Sequence, residues 1–364
     1  MVNYSEIIKE VDQIRPSEEG RELWLEEEEL APTFSRVMEV QDAPQGRDGL
    51  TGGDPSKMEV WSPDIIDLGE RFIEMARTIR DEVRNGVVID PSPVFGDLQS
   101  VINKDLIEQM YEYTMCELND REMILRHSVE VTFISLMIGK GVDYDHKTQL
   151  ILGLAAFLAN VGMYKIPDDI LNKNGELEKS EIKIIKNYPK VSYEILDQTE
   201  KKYKWLAEIA LQVHERSDGS GYPNGLKGKE INKLASIIGL VDVYIGMTSE
   251  RPYRGGLDQT DAIKYIVDEA KDLFPRKIRK AFLDQVTLFP INSYVILNNQ
   301  SIGRVLRTNK KWTLRPTIEL LFNSQGDKLG TPKIIRLIDN PLLYIKGSVN
   351  SNELPSPSIK KKSK

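Results

Sequence analysis

The sequence predicts a mainly α-helical protein that begins in a partly irregular N-terminal region and ends in a small β module. Three observations carry that prediction. From Asn103 to about Leu288, apolar residues recur at helical spacing through successive segments. After Pro290 the pattern turns to short β-rich runs, SYVILNN, IGRVLRT, TIELLFN and IIRLID, separated by Asn, Gly, Lys and Asp turns. Residues 1–56 are acidic and turn-rich, with a charge run from Glu26 to Glu29 and the Gly-, Pro- and Asp-rich stretch DAPQGRDGLTGGDP.

Taken in order, the first helix is expected between about Met58 and Asn85, where Ile65, Leu68, Phe72, Met75 and Ile79 fall on one face. Val87 to Pro93 reads as a short extended stretch broken by prolines. Helices then follow over Leu106–Glu117, His127–Gly139 and Lys147–Asn160; the last contains LILGLAAFLA, apolar enough to be buried on most sides. Further helices are predicted at Lys179–Tyr188, Pro189–Gln198, Tyr203–Val213, Lys233–Met247, Gln259–Ala270 and Pro275–Gln285. The β-rich runs amount to an antiparallel sheet or barrel of about 55 residues, and the tail SNELPSPSIKKKSK reads as disordered. The resulting organisation is an acidic segment 1–56, a helical linker region 57–119, a helical domain 120–288, a β domain 289–348 and a basic tail 349–364.

Composition narrows the function classes. A net charge of −7 argues against a generic nucleic-acid binder, which would show a basic face. No apolar run reaches the roughly 18–20 residues of a membrane span, and the N-terminus MVNYSEIIKEVDQ lacks the pattern of a secretion signal. Cys116 is the single cysteine, so no internal disulfide forms, which suits a reducing cytoplasm.

The most specific string is HERSDGSGYPNGLKGKEI, His214–Ile231. Asp218-Gly219-Ser220-Gly221 reads as a tight loop, with Tyr222-Pro223 setting its exit. Together with RHSVEVTFISLMIGKGV, FLANVGMYKIPDDILNKNGELEKSE, YPKVSYEIL and LVDVYIGMTSERPYR, it resembles the HD-GYP family of the HD phosphohydrolase superfamily, with five segments in family order over about half the chain. The resemblance implies an HD-type helical bundle and a reaction, cyclic di-GMP hydrolysis, run by two or three iron or manganese ions.

The departures from that pattern shape the functional expectation. By resemblance, the His-Asp dyad falls on Ala159-Asn160, a lysine position on Met163, a histidine before proline on Tyr188, and the first of two paired histidines on Val213. The ligand positions that persist are His127, His214 and Asp242. Alanine and valine have no donor atom, and an asparagine carbonyl is a poor bridge between two cations, so no catalytic residue and no cofactor are expected. His127 with Asp242 reads either as a hydrogen-bonded pair or as a residual single-metal site, and His214 as a satisfied histidine or a residual ligand of the other metal. Arg251 and Arg254, with Tyr222 and Tyr253, are candidates to hold phosphates and stack on a base, or else form a surface ion-pair cluster. The intact loop Asp218, Gly219, Gly221, Tyr222 and Pro223 is, by resemblance, a contact surface for GGDEF-type cyclases. The expectation is a cytoplasmic, catalytically inactive interaction module in cyclic di-GMP signalling or motility. A non-hydrolysing cyclic di-GMP receptor and a residual phosphodiesterase are the alternatives.

Overall fold

The computed structural model describes residues 61–349 and 354–355, apart from 119–120, 250–255, 258, 287–288, 290, 292, 310–311 and 313. The acidic segment 1–56, most of the tail, and Arg251, Tyr253 and Arg254 therefore lie outside the described residues. The described chain divides into a helical unit containing Trp61–Leu257 and Tyr265–Val286 and a second unit containing Asp258–Lys264 and the residues from Thr287.

In the helical unit, α1 (Pro63–Asn85) starts at Ser62, whose side chain accepts from the Ile65 amide at 3.4 Å. It stops at Gly86, where φ of 72° turns the chain out of the helix. Ile65, Leu68, Phe72, Ala76, Ile79 and Val83 form its buried stripe, the larger of them each contributing about 1.5–3 kcal/mol by leaving water. The expected extended stretch ends early, because α2 (Ser92–Asn103) already begins at Ser92. Pro93 sits in its first turn, where a proline removes no helical hydrogen bond, so the prolines start a helix instead of breaking one.

After α3 (Ile107–Glu117), α4 (Met123–Gly141) forms the centre of the unit, packing against α1, α3, α5 (His146–Leu158) and two later helices. Phe72, Phe133 and Phe157 meet where α1, α4 and α5 converge, with ring centroids 5.2 and 5.9 Å apart. A 3-10 turn (Val161–Lys165) and the short α6 (Asp168–Leu171) lead to α7 (Lys179–Lys186), α8 (Tyr188–Asp197) and α9 (Trp205–Gln212). The helix α10 (Lys233–Thr248) is capped by Asn232, whose side chain accepts from the Leu234 amide at 2.8 Å, and it packs on α4. The segment expected as one helix from Gln259 splits into α11 (Gln259–Lys264) and a π-helical turn, Tyr265–Glu269; α12 (Arg276–Gln285) follows and also packs on α4.

The β module is a five-stranded antiparallel sheet in the order β4-β3-β2-β1-β5, formed by β1 (Tyr294–Leu297), β2 (Ile302–Arg307), β3 (Thr317–Phe322), β4 (Lys328–Arg336) and β5 (Ile345–Val349). Val295, Leu297, Val305 and Ile318 are fully buried in it. IIRLID is not wholly strand: β4 ends at Arg336, and Leu337–Asp339 forms a 3-10 turn. The predicted class holds, a helical bundle followed by a small antiparallel β module. Among the described residues, no helix is long and apolar enough to cross a membrane.

Candidate functional site

Five segments each deliver one polar side chain to a common point inside the helical unit. They are His127 near the start of α4, Asn160 just after α5, Tyr188 at the first residue of α8, His214 just beyond α9, and Asp242 in α10. Two glycines permit the convergence. A Cβ on Gly162 would lie 2.2 Å from the Tyr188 carbonyl oxygen, and one on Gly239 2.2 Å from the Val213 carbonyl oxygen. Only glycine lets the 3-10 turn approach α8, and α10 approach the end of α9, this closely.

Hydrogen positions follow from the chemistry of the partners. The Asp242 carboxylate can only accept, so His127 donates from Nε2 to Asp242 Oδ1 at 2.9 Å. Asn160 Nδ2 donates to the same oxygen at 2.9 Å; its 3.0 Å approach to His127 Nε2 is then a contact between two donors, not a hydrogen bond. The Tyr188 hydroxyl donates to Asn160 Oδ1 at 3.0 Å, which leaves its oxygen to accept from His214 Nε2. One relay therefore runs from His214 through Tyr188 and Asn160 to Asp242, with His127 closing on the same carboxylate.

Burial alone would raise the Asp242 carboxyl. The His127 hydrogen bond, the charges of His127 and His214 and the Asn160 hydrogen bond outweigh it and hold the group well below the usual carboxylate range. Burial pushes the His214 imidazole down to about 4, against the pull of Asp242 3.8 Å away, so it is neutral at pH 7. The Tyr222 ring lies flat on His214, with centroids 4.8 Å apart and planes 5° apart.

The loop is held by a residue that the sequence analysis did not single out. Glu215 is 2% exposed, and its two carboxylate oxygens accept from the amides of Asn224 at 2.7 Å and Leu226 at 2.9 Å. The available signal was an acidic residue directly before a glycine-rich loop whose turning backbone leaves amides to satisfy. Glu215→Ala should cost about 2–3 kcal/mol, because hydrogen bonds to a charged acceptor are the stronger kind. Amide exchange should accelerate at Asn224 and Leu226 first; unchanged exchange there would remove Glu215 from this role. Arg216 is also largely buried, donating to the carbonyls of Val213 at 3.1 Å and Glu215 at 2.8 Å, with its guanidinium over the Phe274 ring.

The profile of the HD domain family matches residues 112–278, the region that contributes all five side chains. Residues 112–278 form an HD domain. A KOW domain of the type associated with HD domains matches residues 294–356. A cyclic di-GMP phosphodiesterase of Pseudomonas aeruginosa is 29% identical over 205 residues, 56% of this chain and 49% of that protein. The cyclic di-GMP phosphodiesterase response regulator RpfG of Xanthomonas campestris is 37% identical over 154 residues, 42% of this chain and 41% of that protein. The chain thus spans about half or less of the length of these relatives. Among solved structures, a HDG"Y"P protein from Bdellovibrio bacteriovorus shares the fold of the HD domain, with a TM-score of 0.52 at 16% identity over 64% of this chain and 74% of that one.

Set against a two-metal centre, the donor set of this HD domain falls short. Ala159 and Val213 are buried without donor atoms, Met163 is buried, and Asn160 and Tyr188 use their polar atoms inside the relay. Among the described residues, no three His, Cys, Asp or Glu side chains are already arranged as a metal site. The expectation that no cofactor is needed is nevertheless corrected by the comparisons, since the relatives are cyclic di-GMP phosphodiesterases, enzymes that use metal ions. The physical reason is that the substitutions expected at the bridging positions bear only on a pair of ions. It says nothing against one ion at His127, His214 and Asp242, which keep the right donor types.

Proposed function

We propose that this HD domain works in cyclic di-GMP signalling as a non-hydrolysing interaction module that presents its loop Asp218–Pro223 to a protein partner. One observation supports this most directly. Asn160 and Tyr188 complete a hydrogen-bonded relay where a two-metal hydrolase would need an open, ion-bridging centre, and the Tyr222 ring stacks on His214 at its end. His127 and Asn160 are each only 4% exposed and His214 8%, which leaves these side chains little surface to offer a phosphodiester. The loop itself is at the surface, with Asp218 and Ser220 exposed. A GGDEF-type cyclase is the partner class to test first.

The test is hydrolysis of cyclic di-GMP by the full chain reconstituted anaerobically with iron and with manganese, read as linear dinucleotide released. The expected result is no product above the protein-free control. Turnover that disappears in His127→Ala would overturn the reading and make the chain a phosphodiesterase like its relatives. In parallel, Tyr222→Ala should weaken capture of a GGDEF-domain partner; capture unchanged by that substitution would exclude the loop as the contact.

A further inference from the structure

A second feature borders Tyr188. A cleft of about 300 Å³ opens between the 3-10 turn and the α7–α8 junction, with Ile166, Ile184, Tyr188 and Val191 among its walls. Lys165 stands on one wall and Lys183 on the other. The helix beside it is unusual: α7 has no buried residue, and Ile182 and Ile184 are 41% and 44% exposed. Its lysines are largely uncompensated. Lys173 occupies Glu181, the acid of α7, at 2.7 Å, while Lys179 and Lys183 make no ion pair among the described residues. This face is both apolar and cationic, and the described residues leave it uncovered.

The chain carries one segment of matching chemistry. Ser17–Leu30 (SEEGRELWLEEEEL) combines seven glutamates and one arginine with the large apolar residues Leu23, Trp24, Leu25 and Leu30. We propose that this acidic, apolar segment docks on α7 and the adjoining cleft, its apolar residues covering Ile182 and Ile184 and its glutamates facing Lys165, Lys179 and Lys183. Charge complementarity favours this occupant over a small anion, which would leave the isoleucines in water. Reach is sufficient. The cleft lies near the C-terminal end of α1, where Lys165 approaches the Arg84 carbonyl and Arg84 bonds Asp168 at 2.5 Å. The tether re-enters at the other end of α1, which at about 1.5 Å per residue is roughly 35 Å long. The roughly 30 residues between Leu30 and Trp61 extend to about 100 Å.

Carbodiimide coupling, which joins an amine to a carboxylate in contact, tests the proposal on the full chain. In an equal mixture of light and heavy isotope-labelled protein, the expected products link Lys179 or Lys183 to Glu26–Glu29 within single chains. Amide exchange of α7 should also run about tenfold faster in a variant carrying Glu26→Lys, Glu27→Lys, Glu28→Lys and Glu29→Lys. An unchanged melting temperature of the variant checks that its fold is intact. Links spread evenly over exposed lysines such as Lys104 and Lys277 would overturn the proposal. So would links found only between light and heavy chains, which would place a second copy on the face, or α7 exchange unchanged by the charge reversal.

Discussion

Asp242→Ala is expected to destabilise the helical unit by about 3–5 kcal/mol, the usual cost of removing one partner from a buried, hydrogen-bonded charge cluster. The size follows from what is left behind. His127 Nε2 and Asn160 Nδ2 both donate to Asp242 Oδ1 at 2.9 Å, and both residues are only 4% exposed. Each then becomes an unsatisfied donor at about 1–3 kcal/mol. For a unit of this size the melting temperature should fall by roughly 10 °C. Asp242→Asn keeps the shape and one acceptor oxygen, so it should cost less than half as much. The measurement is urea unfolding in the presence of a chelator, which removes any contribution from a bound ion. A loss under 1 kcal/mol for the alanine variant would mean that the relay does not hold these helices together.

Acidification is expected to remove about 3 kcal/mol of stability between pH 6.5 and 4 through His214 alone. The sign follows from which state takes up the proton first. Unfolded, the imidazole titrates near its ordinary value of 6.5; folded, burial holds it down to about 4. Within that interval the unfolded chain binds the proton and the folded chain does not, so stability falls as pH falls and levels off below 4. Asp242 acts in the same direction at lower pH. Its folded carboxyl is held down, so its stabilisation is present above the ordinary carboxylate range and is lost as pH drops below it. His214→Gln should flatten the unfolding midpoint between pH 6.5 and 4 while leaving the steeper acid limb. A wild-type profile that is flat across that window would mean that His214 is charged in the folded protein.

These two expectations separate stability from chemistry in the HD domain. The relay is costly to break whether or not the domain cleaves a substrate, whereas the hydrolysis assay reads only the reaction. A chain that is inactive but strongly weakened by Asp242→Ala would show this cluster serving as a structural polar core. Such a core brings the hydrogen-bond demands of a buried charge, which explains why Asn160 and Tyr188 are polar where Ala159, Met163 and Val213 are not.

Much of this protein follows from local sequence pattern. Periodicity located the central helices, because a buried stripe must repeat every three or four residues wherever a helix packs. The switch to alternating β-rich runs located the C-terminal sheet, and the ordered motifs around His127, His214 and Asp242 pointed to the helices that meet. Where local rules are ambivalent, the reading failed. Pro93 can break a chain or start a helix, and only the packing of Val94, Leu98 and Val101 selected α2. β5, in IKGSV, has too few apolar residues to announce itself, and pairing with β1 makes it a strand. The relay was beyond sequence reasoning for a stronger reason. Tyr188 and Asn160 read as ligands lost, and their new roles depend on hydroxyl and amide positions fixed by helices 28 residues apart in sequence. Glu215 likewise gains its role only when the loop folds back and brings the Asn224 and Leu226 amides to its carboxylate. Residue type determined which atoms could donate or accept; tertiary structure decided which of them met, because a hydrogen bond needs its partners within about 3 Å.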